Sequence, residues 1–254
     1  MGQLAEQVST DIKKALKADE LDLPTLPEVA LRIRDEAQSN NVSATSLAKV
    51  IAEDPGLAAQ LVRTANSPMF MAARAIDDLA QAISRLGVEY AANIVVGLAM
   101  QQMFQATSEL IDSKMREVWK TSTDVAAWSG VLAKRFTDLR PDQATLAGLT
   151  HSIGALPILS WAEEHDELLT DSQTLDRLIE SIHPTIGTMI LMRWNFAEEI
   201  IRVPEGYMSP LRQNPEVDYV DLVSAALLLV NRAGPDIPLC DEPWANAPVF
   251  ARIG

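Results

Sequence analysis

The chain has three histidines, His151, His165 and His183, in 254 residues, and they bound the metal or proton chemistry it can do. His151 lies in Leu-Ala-Gly-Leu-Thr-His-Ser-Ile-Gly-Ala (146–155) and is followed by Ser152. A hydroxyl is a poor ligand for a hard divalent cation, which takes charged oxygens. A catalytic metal site usually draws on three protein ligands or more. His151 and His183 supply two. Asp142, Asp166 and Asp221 are carboxylates a fold could bring to them, although no spacing requires it. A structural reading stands beside the chemical one. His151, between Leu149 and Ile153, reads as a packed or hydrogen-bonded core residue. His183 precedes Pro184 and reads as a cap at a helix start or a partner of Glu180. His165, in Glu163-Glu164-His165-Asp166-Glu167, reads as part of a solvated acidic face.

Other chemistries find no support. There is no GxxxxGK[ST] phosphate loop. No GxSxG elbow flanks Ser152 or Ser160. The lone cysteine, Cys240, sits among prolines and acidic residues, which do not favour a thiolate. A single cysteine also excludes an internal disulfide and suits a reducing cytoplasm.

Five further segments follow in order. They are Leu-Pro-Thr-Leu-Pro from 23, Asp54-Pro55-Gly56-Leu57, Leu-Val-Arg-Thr-Ala-Asn-Ser-Pro (61–68), Gln-Ala-Ile-Ser-Arg-Leu-Gly (81–87), and His183-Pro184-Thr185-Ile186-Gly187 with Trp194. Together with 146–155 they resemble the HDOD domain, the HD-related output domain of bacterial signalling proteins, over roughly residues 20–210. The HD phosphohydrolases to which that family is related hold one or two metals between histidines and aspartates, and such metals activate water and clamp phosphate. On this resemblance His151 stands in the histidine place of the HD pair, and Ser152 replaces the aspartate. Trp119-Lys120-Thr121-Ser122 puts Thr121 where a histidine is expected. His183 is retained. Tyr207-Met208 falls where a tandem histidine pair often stands. The resemblance therefore implies a vestigial site of Thr121, His151, Ser152, His183 and Tyr207, with no catalytic residue, metal or cofactor. It implies a non-catalytic output module that meets a protein partner in trans, with a small ligand as a further expectation. The rival is a metal-dependent phosphohydrolase acting on a nucleotide or phosphodiester, which needs carboxylates hidden from the sequence.

The elements that position these residues read as helix almost throughout, and no alternating strand pattern occurs. Thr25-x-x-Glu28 suggests a capping box, with Pro27 inside the first turn. Asp54-Pro55 is an N-cap followed by proline at the first helical position. A helix opened by Ile76-Asp77-Asp78 closes at Gly87. Residues 88–104 are apolar nearly all round and predict a central helix. Further helical regions are expected over 107–136, 142–165, 172–182, 185–203 and 218–233. Trp119, Trp128, Trp161 and Trp194 read as core. So do Met69, Met71, Met100, Met103, Met189 and Met192, although methionines also line adaptable grooves. Asn66 and Ser67 read as a helix end before a turn at Pro68.

The fold expected is all-α: a multi-helical HD-like globule. Its parts are an N-terminal helix (1–20), an N-terminal helical lobe (20–105) packed on a degenerate HD-like lobe (106–215), and a C-terminal helix with an irregular proline-rich tail (216–254). Thirty-five acidic against 21 basic residues give a charge of −14. Nucleic-acid and anionic-membrane binding draw on clustered Lys and Arg, so neither partner is expected. No apolar run approaches the ~18 residues of a membrane span, and the N-terminus lacks the pattern of a signal peptide. These readings point to a cytoplasmic protein.

Overall fold

Short polar residues cap several of these helices. Ser43 accepts from the backbone of Ser46, and Ser46 returns the bond, so α2 (Ala44–Ile51) opens on a capping box. Asp54 caps α3 (Pro55–Ala65) through Gly56 and Leu57, with Pro55 at the first helical position as expected. Asp78 caps α4 (Leu79–Leu86) through Gln81. The computed structural model describes residues 10, 14, 23–67, 70, 75–164, 172–209, 211–231 and 247–253. Among them there is no strand, and the fold is all-α. Of the helix expected at 1–20 only Thr10 and Lys14 are described, both helical. Pro68, Met69, Met71, His165, Asp166 and Cys240 lie outside the described residues.

Two compact units form. One spans Leu26–Met103; the other joins Phe104–Gly254 to the segment ending at Thr25. In the first, α1 (Glu28–Ala37) packs on α2 and on α5 (Val88–Gln101). The even apolar pattern of α5 is explained by burial around most of its circumference, from Ala91 to Met100. Gly87 links α4 to α5 at φ 91°, a left-handed value that glycine adopts without strain, and the two axes turn by 112° there. Asn66 binds Ile76 at both backbone groups (2.8 and 2.7 Å), so its side chain pins residue 76 ten positions onward.

The second unit is built on the 28-residue helix α6 (Glu109–Phe136). It packs against α7 (Pro141–Thr150), α8 (Ala155–Glu163) and α12 (Tyr219–Val230). Glu163 on α8 accepts from the backbone of Thr107 and Ser108 (2.6 and 2.7 Å) and so satisfies free N–H groups just ahead of α6. α9 (Ser172–Arg193) packs on α8 and on the short α11 (Val203–Gly206); α10 (Glu198–Ile201) precedes α11. Trp194 Nε1 donates to the Pro24 carbonyl (2.9 Å) and ties residue 24 to this unit. Asp221, fully buried, receives Arg212 and Arg252, and this joins α12 to α13 (Pro248–Ile253).

Several local expectations are corrected. The N-cap of α1 is Pro27, without a side-chain cap, so the helix starts two residues later than a box between Thr25 and Glu28 requires. The region 142–165 is two helices with a turn at His151–Gly154. A continuous helix would set Pro157 against the Ile153 carbonyl, whereas the break leaves it in the first turn of α8. Conversely, 172–182 and the start of 185–203 are one helix with Pro184 inside it. Burial of Ile182, Ile186 and Ile190 outweighs the missing hydrogen bond. Residues 248–253 of the irregular tail are helical, because Val249 and Ile253 are buried and Arg252 reaches Asp221. Trp128 and Met192 are not core: they are 42% and 60% exposed.

Candidate functional site

His151, His183 and Tyr207 come together inside the second unit, each less than a tenth exposed. His151 is the C-cap of α7, and its Nδ1 lies 2.7 Å from the Gly148 carbonyl. A ring nitrogen facing a carbonyl carries the proton, so the neutral imidazole has Nδ1–H and presents an acceptor at Nε2. That Nε2 has no hydrogen-bond partner among the described residues. His183, in mid-α9, repeats the arrangement: Nδ1 donates to the Ile179 carbonyl (2.7 Å). Its Nε2 is 2.7 Å from the Tyr207 hydroxyl and therefore accepts from it. The Tyr207 ring packs edge-on against His151, with centroids 4.7 Å apart at 84°, and tilted against His183 at 5.8 Å.

The backbone around these rings is close-fitted. A Cβ on Gly154 would lie 2.0 Å from the His183 carbonyl oxygen, so only glycine lets the α7–α8 turn seat on α9. A Cβ on Gly148 would meet the Ala126 backbone at 2.4 Å, which fixes α7 against α6. Ser224 of α12 donates to the Tyr207 carbonyl (2.7 Å) and holds the tyrosine from behind.

Electrostatics keep the cluster uncharged. Burial pushes His151 down to about 4, and the neighbouring His183 acts in the same direction; the Gly148 bond opposes them. Burial lowers His183 also. It raises the Tyr207 phenol, so the hydroxyl stays protonated and remains a donor.

Ser152 faces Ser122 at 2.7 Å. Ser122 spends its one proton on the Val118 carbonyl, so Ser152 donates and the two hydroxyls satisfy each other. Thr121 is half-buried and makes no hydrogen bond to any other member of the expected site; the serine after it does. Its neighbour was findable: Met115, Ser122, Val125 and Ser129 recur at helical spacing on the buried side of α6, and Thr121 lies off that stripe. The expected pairing of His183 with Glu180 does not occur as a hydrogen bond, since both ring nitrogens have other partners. Ser224 and Gly154 were missed; a serine in an apolar helix and a glycine in a turn carry no distinctive signal.

The donor set does not fit a catalytic metal. Among the described residues no three His, Cys, Asp or Glu side chains are grouped to hold one. Asp142 pairs with Arg140 (2.7 Å), and Asp221 is taken up by two guanidinium groups. Among the described residues the only ring nitrogen free to ligate is His151 Nε2, because that of His183 already accepts the phenol proton. One free imidazole beside paired hydroxyls falls short of the ligand count of a metallohydrolase.

The HDOD domain family model matches residues 23–207. A solved structure from Shewanella amazonensis SB2B, described as a candidate metal-dependent phosphohydrolase, is 34% identical with a TM-score of 0.83, covering 91% of this chain and 85% of the other. A candidate signal transduction protein from Marinobacter aquaeolei VT8 is 27% identical at a TM-score of 0.63, over 85% of this chain and 51% of the other. A Treponema pallidum protein of uncharacterized function is 26% identical over 210 residues. The match takes in 77% of this chain and 39% of that relative, so the chain spans well under half its length.

Proposed function

The chain belongs to the HDOD domain family, and from that premise we propose that it is a non-catalytic signalling module, acting through contact with a protein partner and hydrolysing nothing. One observation carries the reading: at two of the vestigial metal positions, His183 and Ser152, the polar group is taken up by a neighbouring hydroxyl. Tyr207 occupies the His183 acceptor, Ser122 and Ser152 bond together, and among the described residues no carboxylate is hydrogen-bonded to them. Activation of a water by a metal needs an open coordination sphere held by charged or imidazole ligands; this cluster is neutral and closed. The similarity to a signal transduction protein supports the same direction.

The second reading, a phosphohydrolase, is favoured by the description of the Shewanella amazonensis structure. Metal analysis and turnover separate the two. Purified protein is expected to carry far less than one Mn, Fe, Mg or Zn per chain and to leave cyclic dinucleotides, nucleotides and generic phosphodiesters at the buffer rate. Turnover that follows the protein through successive columns and vanishes in His183→Ala would establish the hydrolase and end the proposal.

A further inference from the structure

With its Nδ1 proton committed to Ile179, His183 has one lone pair left, at Nε2, and the Tyr207 hydroxyl takes it. A cation at the same nitrogen would need that lone pair at ~2.0–2.1 Å. The Tyr207 ring also lies against the second imidazole, His151, whose Nε2 is unpartnered among the described residues. We propose that the Tyr207 phenol stands in the place of a cation between His151 and His183, so that the two imidazoles form a latent two-nitrogen site closed by the chain's own side chain. This rests on the metal-free reading above and supplies its cause.

Three features make Tyr207 an occupant and not a ligand. Its hydroxyl points its proton at His183, so its polarity is that of a cation at that position: it offers positive charge density to a nitrogen lone pair. Its ring is buried and packs against both imidazoles, so it fills the space beside them. Its backbone is fixed by Ser224, so the ring is held in place from the α12 side. Borderline cations such as Co²⁺, Ni²⁺ and Zn²⁺ prefer imidazole ligands. Such a cation, with water completing its sphere, is the chemical class the opened site would take.

The test uses the full chain without an affinity tag, in a His165→Ala background that removes the third imidazole. Co²⁺ is titrated at pH 7.5, followed by visible absorption and by calorimetry. The parent is expected to bind weakly, and Tyr207→Ala at least tenfold more tightly, with the gain lost on adding His183→Ala. Stoichiometric binding by the parent through His151 and His183 would overturn both the occupant and the metal-free reading. A folded Tyr207→Ala protein that binds no better than the parent overturns the occupant alone. Tyr207→Phe keeps the ring and loses only the hydroxyl. Its His183 Nε2 nitrogen resonance is expected to move as the donor is lost, and an unmoved resonance overturns the assignment even if the alanine variant does not fold.

Discussion

At the scale of single residues, the cluster converts burial into a dependence on acid. Folded His151 titrates near 4 against an ordinary 6.5. Between those values the unfolded chain binds more protons than the folded one, so stability is complete above about pH 6.5 and is lost as pH falls towards 4. At ~1.4 kcal/mol per pH unit the loss from His151 alone is about 3 kcal/mol, and the lowered His183 adds to it. Chemical denaturation of the parent and of His151→Leu, at pH 7 and pH 4.5, is expected to show a shallower fall for the variant. Equal falls would mean that His151 is not held neutral. At pH 7 the same variant is expected to lose about 1 kcal/mol, because the buried Gly148 carbonyl loses a donor. The sequence made His151, His183 and Tyr207 visible as a group, since all three occupy positions of a known pattern. It did not disclose their bonds, which depend on the rotation of α9 relative to α11 and have no signature in spacing.

At the scale of elements, the fit of the α7–α8 turn on α9 turns on one missing methyl group. Gly154→Ala would drive a Cβ into the His183 carbonyl and the Gly187 amide, at 2.0 and 2.5 Å. Backbone cannot rotate away as a side chain can, so the helices must separate, and a loss of about 3 kcal/mol is expected. Thermal melts of Gly154→Ala beside an exposed control such as Gln173→Ala measure it; equal melting temperatures would show that the turn is loosely seated. Helix positions were legible wherever periodicity and caps agreed, as at Asp54, Asp78 and Gly87. They failed around proline in both directions. Pro157 broke a helix that the pattern ran through, and Pro184 sat inside one that the pattern stopped. Local rules give the penalty for a proline, and only the packed neighbours decide whether it is outweighed.

At the scale of the whole molecule, the sign of the charge restricts partners. With −14 at neutral pH, phosphate backbones are repelled over the range of the ionic screening length. Electrophoretic shift assays with single- and double-stranded DNA and with RNA at 50 mM salt are expected to show no complex at about 10 μM protein, the middle of the usual range of non-specific binding. A salt-sensitive complex would reveal a basic surface that composition conceals. No single helix among the described residues is long and apolar enough to cross a membrane. The all-α class was legible from composition and periodicity together. The division at residues 25–26 and 103–104 was not, because no change in composition marks a unit that begins and ends in mid-pattern.

The bond from Trp194 to Pro24 sets an order of events during synthesis. Residue 24 belongs with a unit whose larger part starts at 104, so the chain leaves that unit before most of it exists and returns to it later. A ribosome adding roughly 5–20 residues per second makes Pro24 wait on the order of ten to thirty seconds for its indole. During that interval residues 26–103, which contain the cap pairs and buried helix of their own unit, are expected to fold first, as units nearer the N-terminus generally do during synthesis. The nascent chain therefore carries its insert before most of its host, and the segment ahead of the insert waits for a partner 170 residues onward.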